Sequence, residues 1–395
     1  MQMLIKGFRF SAVEAAIKRP GRKDLALIYS EVPAVCAATF TSNKVKAAPV
    51  LLGEGRVAGG NLRAIVVNSG NANACTGEQG MEAARETARK VAMELGIDES
   101  TVLPSSTGVI GVQMPMDRIA AAIPALVEGL SGGCLDDVAN AIMTTDTFAK
   151  TSFREGVASG SPYTIAGVAK GAGMIRPDMA TMLSFIITDA AVESMFLKGT
   201  FKTAVDSSFN CITVDNDMST NDTAVILANG SACNPPIDAA SPDAEQFAAL
   251  LSEVALDLAK AIVKDGEGAT KFVTINVCGA DSDDEARVAA MAVANSPLVK
   301  TAFFGQDANW GRILAAIGYS GAQVDQSRVA LSFDEVRMVS GGVFVGGDAE
   351  KMGSEVLKKP EFTVNIDLGL GTGASTVYTS DFSYDYVKIN ADYRT

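Results

Sequence analysis

Two rhythms of hydrophobic and polar positions alternate along this chain, one of helical period and one of strand period. Met81, Ala84, Ala88, Val91, Ala92 and Leu95 recur at helical spacing, and Gly96 stands where a helix C-cap is expected. Phe247, Leu250, Leu251, Val254, Leu258, Ala261 and Ile262 predict a second helix over 242–264, with Ser241 placed to cap it. A helix is also expected over 117–130, interrupted by Pro124. Ser282-x-x-Glu285 reads as a capping box opening another. Strand runs fall at 64–67, 183–188, 223–228, 272–278, 328–333 and 361–368. The last, Glu361 to Leu368, alternates as a half-buried strand does. Asn68 to Asn73 reads as a polar loop of small residues. This interleaving predicts an α/β fold, a layered sandwich with mixed or largely antiparallel sheets.

Composition narrows the picture. Of 395 residues, 48% are apolar and 20% charged, enough to bury a substantial core. With 33 basic and 46 acidic side chains the net charge is −13, which argues against nucleic acid or an anionic membrane as partner. No charge-free apolar run reaches the length of a membrane span. Lys6 and Arg9 interrupt Met1 to Phe10, so no signal peptide is expected there. Cys36, Cys75, Cys134, Cys211, Cys233 and Cys278 form no CxxC pair and read as free thiols of a reducing cytosol. There is no histidine. That excludes Ser-His-Asp and Cys-His catalysis and every histidine-containing metal site.

Several motifs carry little. Gly369, Gly371 and Gly373 follow a strand but precede another, so they read as a turn and not a dinucleotide loop. Asp215-Asn-Asp217-Met-Ser219 opens like a calcium loop but has Thr220 and Ile226 where Gly and Glu are required. The stretch 170–189 is different. A Gly-rich, Pro-containing segment runs from Lys170 through Ala180-Thr181 into the apolar strand. From spacing alone this is a loop entering a core strand. Its functional reading is self-cleavage at Ala180-Thr181. The Thr181 hydroxyl attacks the preceding carbonyl, and hydrolysis of the ester leaves Thr181 as a new N-terminus. Its α-amine, with a reference pKa of about 7.7–8.0, then serves as the base, and no histidine is needed. Thr107 and Gly108, in the hydroxyl- and Gly-rich stretch Ser105 to Gly111, offer an O–H and an N–H to an oxyanion.

These motifs together resemble the ornithine acetyltransferases, also called glutamate N-acetyltransferases. The resemblance is carried by Lys170 to Leu183, Cys36 to Asn43, Val67 to Ala74, Pro104 to Gly108, Met143-Thr-Thr-Asp-Thr147, Asp265 to Lys271, Asp307 to Arg312 and Tyr386 to Thr395. It spans essentially the whole chain in order. It implies a cytoplasmic enzyme of arginine biosynthesis that moves acetyl from N2-acetylornithine to glutamate. It also implies cleavage into an α chain, 1–180, and a β chain, 181–395, held together as α2β2. The implied fold is a layered α/β sandwich with the logic of N-terminal-nucleophile hydrolases and its own topology. No cofactor or metal is implied; bifunctional members also take acetyl from acetyl-CoA.

Residue by residue, Thr181 matches the nucleophile, and Thr107 and Gly108 the oxyanion pair. Lys170, Glu267, Asn390 and Thr395 match substrate-binding positions, as does one threonine of Thr144-Thr145-Asp146-Thr147, for which Thr144 is chosen. Ala172, Arg176 and Asp178 replace the Ser, Ala and Asn common in the family's processing loop. They flank the scissile bond without replacing its key groups. By charge, Lys170 suits the α-carboxylate shared by both substrates, Glu267 a distal ammonium, and Asn390 and Thr395 a distal carboxylate. Asn68, Asn71 and Asn73 read as turn-satisfying residues, and Asp307, Asn309 and Arg312 equally as a structural cluster or a site. A self-processing aminopeptidase or amidohydrolase, releasing acyl groups to water, is the alternative. A non-enzymatic binding protein on the same scaffold is the other.

Overall fold

The computed structural model describes residues 5–176 and 182–392. Ala180, Thr181 and Thr395 lie outside the described residues. The described chain divides into two compact units. The first runs up to Asn210 and adds Asp217–Ile262; the second comprises Cys211–Asn216 and the chain from Val263 on.

The strands of the first unit are β1 (Phe8–Val13), β2 (Leu25–Phe40), β3 (Asn61–Asn71), β4 (Val102–Val109), β5 (Lys150–Ala158), β6 (Ser161–Lys170), β7 (Leu183–Thr188) and β9 (Thr223–Ala228), with β8 (Ile212–Thr213) in the second. They form one mixed sheet ordered β4-β3-β2-β9-β7-β6-β5, with β1 also paired to β2. Its helices are α1 (Ala48–Val57), α2 (Gly77–Leu95), α3 (Met116–Glu128), α4 (Leu135–Ala141), α5 (Ser194–Asp206) and α6 (Ala244–Lys264). Every residue of β7 and β9 is buried, which is why both read as largely apolar runs without the alternation of a half-buried strand. In β2 and β3 the strand period sorts side chains to two faces. Leu25, Leu27, Ala64 and Val66 pack on Ala88 and Val91 of α2 and Ile119 and Ile123 of α3. Ala26, Ile28, Ile65 and Val67 turn the other way and share a cluster with Leu135 and Val138 of α4.

The second unit holds a sheet ordered β13-β12-β11-β14-β10-β15-β8. Its remaining strands are β10 (Phe272–Ala280), β11 (Ala330–Phe333), β12 (Val336–Ser340), β13 (Val343–Phe344), β14 (Glu361–Asp367) and β15 (Gly373–Ser380). Val273, Ile275, Val277, Val364, Ile366 and Leu331 bury one face. They pack with residues of α7 (Asp283–Asn295), α8 (Pro297–Phe304), α9 (Trp310–Gly318) and α10 (Ala349–Leu357). A last helix, α11 (Tyr384–Asp392), follows β15.

Several expectations need amendment. Pro124 sits inside α3 without ending it, because its neighbours Ile119, Ile123 and Leu126 still bury a helical stripe. Asn68 to Asn71 continue β3, and Ser105 to Val109 belong to β4; the Ser106 hydroxyl donates to Asn68 Oδ1 and Asn68 Nδ2 to the Asn71 carbonyl, while the enclosed Ser105 hydroxyl has no partner among the described residues. The 328–333 run begins as a strand only at Ala330, after a single 3-10 turn. Ser241 does not stand at the head of α6 as a free cap: its hydroxyl donates to Asp238. Ser282 does cap α7, accepting from the Glu285 amide at 3.2 Å, whereas the Glu285 carboxylate turns to the Gln323 amide. Among the described residues no helix is long and apolar enough to cross a membrane.

Candidate active site

The first unit assembles part of the expected site at the ends of β4 and β6. The parallel pairing of β3 with β4 sets Thr107 opposite Ser69 and Gly108 opposite Gly70. Gly108 has φ +130°, and a Cβ there would lie 2.3 Å from the carbonyl carbon of Gly70. No other residue fits so close a backbone approach. Neighbouring polar groups lock this strand end. The Ser106 hydroxyl donates to Asn68 Oδ1 at 2.6 Å, and Asn221 Nδ2 donates to the carbonyls of Ala72 and Ser106 at 2.6 and 2.8 Å. Asn68 and Asn71 reach the carbonyls of Asn71 and Val112, and Asn73 that of Gly80, so these three asparagines hold the end of β3 and the stretch that follows it.

Lys170 closes β6 and is buried. Its Nζ donates to Thr107 Oγ1 at 3.2 Å, joining two residues far apart in sequence. A hydroxyl that accepts from an ammonium keeps its own proton to donate elsewhere, as an oxyanion donor must. Lys170 also pairs across the sheet with Leu183, so the strand ends on either side of the Gly-rich stretch are held in register.

Behind Lys170 lies a carboxylate that the sequence reading passed over. Asp146 Oδ1 accepts from Lys150 Nζ and from the Gly171 amide, both at 2.7 Å. Its Oδ2 accepts from the Thr144 amide at 2.9 Å and the Thr144 hydroxyl at 3.5 Å. The side chains of Asp146 and Lys150 are wholly enclosed. Burial pushes the Asp146 carboxyl up, but the charges of Lys170 and Lys150 and the bonds from Lys150 and Thr144 prevail and hold it well below the usual carboxylate range. Thr144, chosen among the threonines of its motif, therefore sits in the same network. A signal was present: an acid four residues before a lysine, in a run of threonines that are otherwise neutral.

The second unit brings together Glu267 and Asn390. Asn390 Nδ2 donates to Glu267 Oε2 at 2.9 Å and to the Tyr386 carbonyl at 3.0 Å, bridging the loop before β10 to α11. Asp381 fixes that loop: its Oδ1 accepts from the Thr270 and Lys271 amides at 2.8 and 2.9 Å. Ser383 Oγ donates to the Gly268 carbonyl at 2.5 Å. Asp307 and Arg312 do not join this group. Asn309 caps α9 through the Arg312 amide and donates to Asp307, while Arg312 reaches the Leu298 carbonyl. They form a structural cluster beside Trp310, which stacks on Phe344.

Comparison with known proteins covers the whole of this architecture. The model of the ArgJ family matches residues 9–395. A Geobacter sulfurreducens protein named arginine biosynthesis bifunctional protein ArgJ is 66% identical over all of both chains. One of the same name from Syntrophotalea carbinolica is 57% identical over 99% of each. Among solved structures, arginine biosynthesis bifunctional protein ArgJ from Bacillus halodurans matches with 40% identity and a TM-score of 0.52, over 54% of this chain and 100% of that one.

Proposed function

This chain belongs to the ArgJ family, and from that premise we propose how its residues carry out acetyl transfer. The protein is an acetyltransferase of arginine biosynthesis that moves acetyl from N2-acetylornithine to glutamate. Thr181 Oγ attacks the acetyl carbonyl, and its proton passes through the α-amine of Thr181 to the departing amine. The Thr107 hydroxyl and the Gly108 amide hold the negative charge on the carbonyl oxygen. Ornithine leaves with that proton, and acetyl-threonine remains. The amine of glutamate then attacks the ester, returning the hydroxyl to Thr181 and giving N-acetylglutamate. The two half-reactions share one nucleophile, so the kinetics are ping-pong.

The observation that carries this reading is the Lys170–Thr107 hydrogen bond beside a position that only glycine can occupy. A cation beside Thr107 and Gly108 suits the α-carboxylate common to both substrates. Thr144, Glu267, Asn390 and Thr395 are assigned to substrate binding with it. Processing at Ala180-Thr181 gives chains 1–180 and 181–395. The assembly is α2β2 in the cytoplasm. Acetyl-CoA is a second donor, in keeping with the word bifunctional in the relatives' names.

Denaturing intact mass and a transfer assay test this. The wild-type protein is expected as two chains meeting at Ala180-Thr181, and Thr181→Ala as one uncut, inactive chain. A cut and active Thr181→Ala protein would remove Thr181 from both roles. Acetate release without an amine acceptor, in place of transfer, would establish the hydrolase reading.

A further inference from the structure

The chain has a net charge of −13, yet Lys18, Arg19, Arg22 and Lys23 fall within six residues that include no acid. They lie in the loop between β1 and β2. Carboxylates fix this loop through its backbone. Asp24 is buried, and its two oxygens accept from the Ala15 and Ile17 amides at 2.7 and 2.6 Å. Glu14 Oε1 accepts from the Gly21 amide at 2.9 Å. The Asp24 carbonyl accepts from the amide of Ser69, which stands opposite Thr107 in the β3–β4 ladder. A Cβ on Gly70, opposite Gly108, would lie 3.0 Å from Lys18 Cβ. The basic loop is thus attached to the strand end that holds the oxyanion pair.

Arg22 reaches furthest toward that end and is half-buried. Its Nη2 donates to Ser69 Oγ at 3.2 Å and to the Met143 and Ala141 carbonyls at 2.5 and 3.4 Å. These acceptors are neutral, and Nη1 has no acceptor among the described residues. Arg118, in the first turn of α3, joins the loop by donating to the Ala16 carbonyl at 2.6 Å. Arg19 is exposed. Lys23 is paired with Asp137 at 2.7 Å, but no carboxylate pairs with Arg19, Arg22 or Arg118 among the described residues. Three such guanidiniums exceed what one amino-acid carboxylate needs, and their planar forks suit phosphate oxygens. Phosphates that arrive with an acyl group belong to a nucleotide thioester. We propose that Arg19, Arg22 and Arg118 bind the phosphates of acetyl-CoA, whose flexible arm then lays the thioester carbonyl at Thr107 and Gly108. This rests on the reading that acetyl-CoA is a second donor at this site. In the transfer, Thr181 Oγ bonds to the acetyl carbon, the C–S bond breaks, and coenzyme A leaves as the thiol with the proton of the hydroxyl.

Coenzyme A itself is the probe, titrated by calorimetry into processed wild type, Arg22→Gln, and the double variant Arg19→Gln with Arg118→Gln, both exposed positions. Loss of a charge-assisted bond to phosphate weakens binding about 10-fold or more where the cation is partly buried, and a few-fold at exposed positions. Arg22→Gln is therefore expected to weaken coenzyme A at least about 10-fold and the double variant a few-fold, with wild-type binding falling as salt rises. KM for acetyl-CoA is expected to rise in step. Acetyl-pantetheine, a thioester without these phosphates, is expected to serve all three proteins equally. Wild type that binds no coenzyme A, or folded variants that bind it as wild type does, would overturn the proposal. So would equal losses with acetyl-pantetheine, because the arginines would then act on the transfer site and not on phosphate. If Arg22→Gln does not fold, the exposed pair decides in the same way. Coenzyme A held by these arginines without acetyl transfer from acetyl-CoA would strike the second-donor reading and leave the phosphate site standing.

Discussion

A Cβ on Gly108 would meet Gly70 at 2.3 Å, while the ammonium of Lys170 rests on the neighbouring hydroxyl of Thr107. Such a single-residue demand was legible in the sequence at Gly108, a glycine beside a threonine in a hydroxyl-rich stretch. Demands met by ordinary charged residues were harder to see. Asp146 reads as one acid among many, and Lys300 as a surface lysine. In fact Lys300 is wholly enclosed in α8. Its Nζ donates to Thr379 Oγ1 at 2.8 Å and to the Ser380 carbonyl. Burial pulls its pKa down from 10.5 to about 7, against the opposing pull of the Asp381 and Asp215 carboxylates. The unfolded chain keeps this proton up to about pH 10, whereas the folded protein releases it from about 7. Over that window the unfolded state binds more protons, so this group makes stability rise with pH, by at most about 1.4 kcal/mol per pH unit. Thermal midpoints of wild type and Lys300→Met, taken from neutral to pH 9.5, should therefore diverge in slope, with the wild type gaining on the variant as pH rises. Parallel curves would show that Lys300 stays charged in its enclosure.

Among the elements, α11 is tied to the Glu267 loop through close backbone approach. Gly268 has φ +68°, and a Cβ there would lie 2.4 Å from the Tyr386 amide nitrogen. Gly268→Ala is therefore expected to push α11 away from the loop, at a cost of about 1–3 kcal/mol, and to break the Asn390–Glu267 bond. The expected result is a KM raised several-fold with processing at Ala180-Thr181 unchanged. Unaltered KM would detach the Glu267–Asn390 pair from substrate binding. The elements themselves differ in how openly the sequence announces them. β7 and β9 have six buried residues each, with only Ser184, Thr188 and Thr223 polar among them, so their bounds are plain. β2 is a strand of 16 residues, yet Glu31, Val32 and Pro33 are exposed in its middle, where its pairing with β3 shifts register. That break destroys the alternation by which a long strand is recognised. β4 hides for another reason: its Ser-Ser-Thr-Gly end looks like a turn until Asn68 of the partner strand supplies the acceptor that lets the Ser106 hydroxyl be buried.

At the scale of the whole molecule, cleavage and folding follow different boundaries. A cut between residues 180 and 181 falls inside the first compact unit, not between the two units. It also falls between β6 and β7, and the strand order shows what that entails. In β4-β3-β2-β9-β7-β6-β5, the strands after the cut, β7 and β9, lie between β2 and β6, which come before it. β7 pairs with β6 over six residues, and β9 pairs with β2 over six more. Both inserted strands are buried on both faces. Pulling the two chains apart would break both ladders at once and expose twelve buried strand residues, most of them apolar. Hydrolysis of one peptide bond removes none of these contacts. The processed chains should therefore co-elute in gel filtration without denaturant and part only in concentrated urea or guanidinium, with both lost from the folded state in a single transition. Separation of chain 1–180 from chain 181–395 under native conditions would mean that the central strands do not hold the cut protein together.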